Sequence, residues 1–324
     1  MKRLIFLSGF IISILIIPGC TESVTEGDYR QDMRDFVQGI SDYAKGIKSN
    51  FIVIPQNGHP LLTENGASSG TPVADYIGSI DGIGREDLFY GYNGDDIPTP
   101  VSERDDMLDY MELAENEGLE VLVIDYCSTK VHVDDSYVRN NANGYISFAA
   151  DHRELDNIPS YPVEPYNVNS NNIASLHDAC NFLYLINPGS FPSKEAYLDE
   201  IRETDYDIVI IDLFYDNIEL SASEVTSLKN KASAGSRLVV AYMSIGEAED
   251  YRYYWQTGWQ TNPPAWFAEE NPDWPGNYKV YYWDQDWQDI IYGNDSSYAK
   301  KIIDAGFDGV YLDLIDAYEY FENQ

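Results

Sequence analysis

The chain has 324 residues, 44% of them hydrophobic, and a net charge of −35 from 55 Asp and Glu against 20 Lys and Arg. That length suffices for one large core, and a surface so negative repels phosphate backbones, which excludes nucleic acid as a partner. It concentrates cations instead, a cationic polymer included, although plain solubility accounts for the same charge equally well.

Lys2 and Arg3 precede an apolar run over residues 4–17, too short for a membrane span, and Ile17-Pro18-Gly19-Cys20 follows. This resembles a bacterial lipobox. It predicts a signal peptide over 1–20, lipidation of Cys20, and an exported lipoprotein held at a membrane surface, periplasmic or outer, only by that anchor. Ordinary signal cleavage is the alternative, because Pro18 is unusual there. Residues 21–29 read as a tether and 30–324 as one domain.

Met33, Phe36, Val37, Ile40 and Ile47 recur at helical spacing and predict a helix over 31–49. A strand over 51–55 runs into Gln56 and Asn57, residues 75–86 carry the next, and 88–92 continue extended. A helix from Ser102 closes at Gly118, and a strand over 119–125 follows. Residues 145–149 look extended but surplus to the alternation. Residues 155–180 are rich in Pro, Asn and Ser and read as a long irregular connection. Strands over 182–186, 207–213, 238–244, 279–283 and 309–314 then alternate with helices over 193–204, over 223–234, and one ending at Gly306. Eight βα-like strands plus one surplus extended segment predict an α/β fold, the (β/α)8 TIM barrel. A doubly wound open sheet is the runner-up; it would gather function near one switch point rather than along the whole chain.

Five of these segments end in an acid or an acid-bearing turn: Glu86, Asp125, Asp212, Glu247 and Asp313. Parallel strands that each carry a carboxylate at the C-terminal end arrange acids around one barrel mouth. Converging acids are the equipment for cleaving glycosidic bonds, with one carboxyl protonated and another ionised. Tyr184, Tyr242, Tyr126, Trp283, Tyr92 and Tyr282 flank these positions and offer stacking faces for sugar rings. By alternation, about half of such strand aromatics pack against helices instead. Gln56 and Asn57 are placed to meet sugar hydroxyls, and the loop over 255–274, with Trp259 and Trp266, to cover a cleft. Asp212, Glu247 and Asp125 are candidate sugar ligands; pairing of Glu247 with Arg252, or of Glu86 with Arg85, is the plainer use of those acids. Four scattered His, no phosphate-binding loop and no dinucleotide glycine triplet predict neither metal nor cofactor. Cys127 and Cys180 make no disulfide framework.

Three stretches carry a resemblance. They are Val-Ala-Tyr-Met-Ser-Ile-Gly-Glu-Ala-Glu-Asp-Tyr-Arg over 240–252, Gly-Phe-Asp-Gly-Val-Tyr-Leu-Asp over 306–313 with Asp316-Ala317-Tyr318, and Ile211-Asp212-Leu213-Phe214 with Asp216. Together they resemble glycoside hydrolases of family 114, the endo-α-1,4-polygalactosaminidases. The resemblance covers residues 182–320 and implies a (β/α)8 barrel that hydrolyses α-1,4 bonds in a galactosamine-containing polysaccharide. It implies that Asp313 is one of the catalytic pair and Glu86, in Gly84-Arg85-Glu86-Asp87, the other. Asp87 competes for that place, and Glu247 is the substitute partner. Leu314 stands where relatives often carry Asn. In relatives the segment like 183–188 opens the barrel, and those like 51–57, 75–92 and 121–127 close it. The chain is therefore expected to be a circular permutant: strands six to eight over 30–154, a joining loop over 155–180, and strands one to five over 181–324. A divergent separate domain ahead of residue 155 is the alternative. A non-catalytic glycan-binding lipoprotein of the same fold, and a calcium-stabilised surface protein using Asp95 and Asp96 or Asp284, Asp286 and Asp289, are the other readings.

Overall fold

The computed structural model describes residues 27–324, so Cys20 and the expected signal peptide lie outside the described residues. Five parallel strands form one sheet in the order Ile52–Pro55, Gly309–Asp313, Leu238–Ser244, Ile208–Asp212, Phe182–Leu185. Three more form a second parallel sheet in the order Gly82–Glu86, Glu120–Tyr126, Ile146–Ala150. Single parallel bridges, Gln56 to Gly84 and Ser147 to Asn181, connect the two sheets at both pairs of edges.

The strands are near-continuous buried runs because both of their faces are covered. Every residue of Ile208–Asp212 and of Leu238–Ser244 is buried, as is every residue of Ile146–Ala150. Helices Val101–Asn116, Lys130–Ala142, Lys194–Arg202 and Tyr298–Asp304 run between strands. The first helix, Tyr29–Ile47, buries Met33, Phe36, Val37, Ile40 and Ala44 on one face. It lies beside the last, Ala317–Glu322, where Arg30 Nε meets Glu322 Oε1 at 2.8 Å and the Tyr29 and Phe321 rings stand 5.7 Å apart. The two ends of the described chain are therefore neighbours.

Two expectations are corrected. The stretch over 145–149 is no surplus: Ile146–Ala150 is a parallel partner of Glu120–Tyr126. The stretch over 279–283 is not one of the parallel strands. Asn277–Val280 runs antiparallel to both Glu247–Glu249 and Phe267–Glu270 in a small side sheet. Burial separates the two cases, since Ile146, Ser147, Phe148, Ala149 and Ala150 are small or apolar and wholly covered, whereas only Val280 is buried in Asn277–Val280. Four parallel strands thus precede the connection over 155–180 and four follow it, rather than three and five.

That connection is pinned by polar contacts. Asn169 Nδ2 donates to Asp207 Oδ2 at 2.9 Å, Lys231 Nζ to Asn169 O at 3.1 Å, and Asn181 Nδ2 to Tyr166 O at 2.9 Å. Asp207 and Lys231 form a wholly buried ion pair beneath it. Cys127 is buried and Cys180 exposed, both as free thiols.

Candidate active site

Asp313 ends one parallel strand and Glu86 another, and both line a cavity of about 630 Å³ at the C-terminal ends of the strands. Two close approaches make this possible. A Cβ on Gly84 would stand 2.0 Å from Tyr311 Oη, and one on Gly246 would stand 2.3 Å from Leu314 O, so only glycine lets these segments meet.

The two carboxyls sit in different settings. Asp313 Oδ2 accepts from Tyr242 Oη at 2.8 Å, and Oδ1 from the Leu314 N–H at 2.8 Å. Burial, then the charge of Glu86, pushes the Asp313 carboxyl up to about 7, against the pull of those two donors. Glu86 Oε2 accepts from Asn57 Nδ2 at 2.6 Å, and Oε1 accepts from Tyr126 Oη. Asn57 also accepts from the Glu86 N–H at 3.2 Å, so one amide side chain fixes both ends of the residue. Asn57, Asp216 and Leu314 all line the cavity with left-handed backbone, at φ of 67°, 51° and 60°. Asn and Asp adopt that region more readily than a branched apolar residue such as Leu314 does.

Residues 178–324 match the family described as glycoside-hydrolase family GH114. That part of the chain belongs to the family. Uncharacterized proteins are similar to it: one of Methanocaldococcus jannaschii, 38% identical over 178 residues, covering 55% of this chain and 49% of the relative. One of Thermotoga maritima is 43% identical over 125 residues, covering 39% of this chain and 37% of its own length. One of Deinococcus radiodurans is 43% identical over 131 residues, covering 40% of each. The chain thus spans half or less of the length of these relatives.

The GH114 segment supplies Asp313, Asp212, Glu247, Tyr184 and Tyr242 to the cavity; Glu86, Gln56, Asn57 and Tyr126 reach it from outside that segment. Tyr184 donates to Gln56 Oε1 at 3.2 Å, linking the two contributions. Asp87, the competitor of Glu86, turns away to pair with Arg153 at 2.8 Å and is pushed up to about 6, chiefly by burial. Arg85 makes no ion pair with Glu86 among the described residues.

Asp212 and Glu249 share Arg252: its Nη1 donates to Asp212 and its Nε to Glu249, all three side chains being buried. Burial raises the Asp212 carboxyl, and the adjacent guanidinium works against it. Glu247 does not pair with Arg252. It accepts from Asn271 Nδ2 at 2.8 Å and faces Lys279 Nζ at 3.3 Å.

Asp125 and Trp283 are corrected. Asp125 is wholly buried and does not line the cavity; it accepts from the Phe89 N–H at 2.8 Å, the Tyr90 N–H at 3.2 Å and Ser136 Oγ at 2.6 Å. Its neighbour Tyr126 faces the cavity, so strand alternation sends Asp125 toward helix Lys130–Ala142, where it holds the segment over 88–91 in place. Trp283 also lies away from the cavity, packing on Tyr29 at 5.2 Å and Phe321 at 4.8 Å.

Sequence reasoning missed Asp316, Glu249 and Arg153 as lining residues, and placed Asn271 and Trp274 only within the loop over 255–274 expected to cover a cleft. Asp316 is pushed up to about 6, first by burial and then by Glu319 and Glu86. Its signal was the second acid of the motif after Gly309–Asp313. Glu249 was legible from Glu247-Ala248-Glu249, whose alternation turns both acids to one face. Among the described residues, no group of three or more His, Cys, Asp or Glu is arranged to hold a metal.

Proposed function

We propose that this chain is a glycoside hydrolase that cleaves α-1,4 bonds of a galactosamine-containing polysaccharide, with Asp313 and Glu86 as its carboxyl pair. The observation that carries the reading is that these two acids, one inside and one outside the GH114 segment, face a common cavity with different hydrogen-bond partners. Burial and the neighbouring Glu86 favour the protonated form of Asp313, while Glu86 accepts hydrogen bonds from Tyr126 and Asn57. A protonated carboxyl gives the departing glycosidic oxygen its proton. An ionised one stabilises positive charge at the anomeric carbon, by attack on it or by drawing the proton from an incoming water.

Electrostatics favours an amine-bearing sugar. The cavity is lined by Glu86, Asp212, Asp216, Glu247, Glu249, Asp313 and Asp316, against Arg153 and Arg252. Arg252 compensates Asp212 and Glu249, and Lys279 compensates Glu247. Among the described residues, Glu86, Asp216, Asp313 and Asp316 face the space with no lysine or arginine partner, which suits a protonated amino sugar.

The same reading takes the two parallel sheets, joined at Gln56–Gly84 and Ser147–Asn181, as one closed (β/α)8 barrel. It takes the chain as a circular permutant with four strands on either side of the connection over 155–180. It places the domain outside the cell, tethered by a lipid on Cys20, with the polysaccharide as partner.

Release of reducing ends from α-1,4-galactosamine polymer, acetylated and deacetylated, and from the corresponding glucosamine polymers, tests it. The wild type releases ends from a galactosamine polymer, and Asp313→Asn and Glu86→Gln do not. Polymer capture without any product makes the protein a glycan-binding module instead.

A further inference from the structure

Two aromatic side chains that line the cavity are more than half exposed, Tyr251 and Trp274, and of these Tyr251 is engaged, donating its hydroxyl to Glu249 Oε1 at 2.7 Å. Trp255 packs on Trp259 with ring centroids 5.2 Å apart, Trp259 on Trp266 at 5.0 Å, and Trp266 on Trp287 at 5.0 Å. These tryptophans form a continuous packed row. Trp274 stays out of it: its indole is 57% exposed, has no aromatic ring stacked on it among the described residues, and lines the same cavity as Asp313 and Glu86. Leaving a large apolar side chain in water forgoes burial energy, so a position that does so on the rim of a cavity invites a ligand.

The turn that carries Trp274 is held firmly. It joins Phe267–Glu270 to Asn277–Val280, and the Asn277 N–H donates to Trp274 O at 3.0 Å while the Asn271 N–H donates to Asn277 O at 2.7 Å. The Asp250 N–H donates to Gly276 O at 2.9 Å, and the Gly276 N–H to Glu270 Oε1 at 2.9 Å. Asn271 Nδ2 donates to Glu247 Oε1 at 2.8 Å, and Glu247 is 2% exposed. The carboxylate of Glu247 thus fastens the turn to the cavity wall. The cavity, at about 630 Å³, lies near the middle of the roughly 300–1,000 Å³ typical of small-molecule sites, more than one pyranose ring fills.

We propose that Trp274 is the stacking platform of an outer sugar subsite, taking a pyranose ring of the polymer beyond the ring held at the carboxyl pair. The apolar face of the ring lies on the indole. Glu247 is a positioning residue for this subsite, acting through Asn271 rather than touching the reacting bond. The subsite deepens the reading of a galactosamine polymer as substrate and rests on it. Its consequence is discrimination by length: a chain long enough to reach Trp274 binds better than one that ends before it.

The test is calorimetric titration of the Asp313→Asn protein with α-1,4-galactosamine dimer and octamer, alone and with second substitutions. With Trp274→Ala the ratio of octamer to dimer affinity falls roughly tenfold, the scale of one lost aromatic contact. With Trp274→Phe most of the ratio is kept. Glu247→Ala lowers the same ratio, and combining it with Trp274→Ala adds nothing further. Trp274→Ala weakening both lengths by one factor, or neither, overturns the subsite. A Glu247→Ala effect that adds to that of Trp274→Ala overturns the positioning role. If Asp313→Asn alone binds neither oligomer, the substrate reading falls, and the subsite falls with it.

Discussion

Tyr242 donates its phenol to Asp313 Oδ2 at 2.8 Å across adjacent parallel strands. The bond stabilises the ionised form of a carboxyl that burial and the charge of Glu86 otherwise push up to about 7. Catalysis by a protonated Asp313 therefore weakens as the proton leaves, and kcat/KM falls as pH rises through about 7. Tyr242→Phe removes a donor to the carboxylate, so the pKa rises again and the falling limb moves to higher pH by roughly half a unit to one unit. A pH–rate profile on galactosamine polymer checks this; a limb that stays in place, or moves down, rules out Asp313 as the group observed.

Asp313→Asn lowers kcat by a factor on the order of 10²–10⁴, the range of a lost acid or base. It also changes stability in a pH-dependent way. The folded-state value, about 7, lies above the ordinary carboxylate value of 3.8 for an unfolded chain. Whatever this group contributes is fully present below pH ~4 and is lost as pH rises through about 7. The variant, having nothing to ionise, gains melting temperature relative to wild type at pH 8 compared with pH 4. Parallel melting curves at the two pH values decide it, and an equal offset at both removes the titration argument.

Much of this site was legible in the sequence, and the failures are instructive. Asp313, Asp212 and Glu86 were found because an acid at the C-terminal end of a buried run projects at the strand mouth. Asp125 fits the same description and fails, because the orientation of a strand-end side chain depends on which neighbour faces inward, and Tyr126 does. Segments 145–149 and 279–283 exchanged places because short apolar stretches look alike until their covering is known. Trp274 carried no signal that set it apart from Trp255, Trp259 and Trp266, since exposure is settled by tertiary packing alone.

Arg252 neutralises two buried acids, Asp212 and Glu249, that no other lysine or arginine pairs with among the described residues. Arg252→Ala leaves both uncompensated, with their side chains largely buried in the cavity wall. The expected loss is about 3–5 kcal/mol of folding stability, read from urea unfolding at neutral pH. Arg252→Lys keeps the charge but cannot fork to both partners, and so falls between Arg252→Ala and wild type. A near-neutral Arg252→Ala would mean that Asp212, whose carboxyl burial already raises, takes up a proton at little cost.

The proposed permutation leads to a direct test in chain connectivity. Helices Tyr29–Ile47 and Ala317–Glu322 lie side by side, tied by Arg30 and Glu322, and Val163 in the long connection is 92% exposed. A chain opened between Val163 and Glu164, with residue 324 joined to residue 29 by a short Gly/Ser linker, gives the strand order that the resemblance implies for the family. All eight parallel strands and every cavity residue remain in it. Loops close cheaply when their ends already meet, so this variant is expected to fold cooperatively, melt within a few degrees of wild type and keep its activity on galactosamine polymer. Residues 178–324 alone carry four of the parallel strands and Asp313 but neither Glu86 nor the second sheet, and are expected not to fold. If that segment instead unfolds cooperatively by itself while the rejoined chain is unfolded, the front of the molecule is a separate domain and the two sheets do not make one barrel.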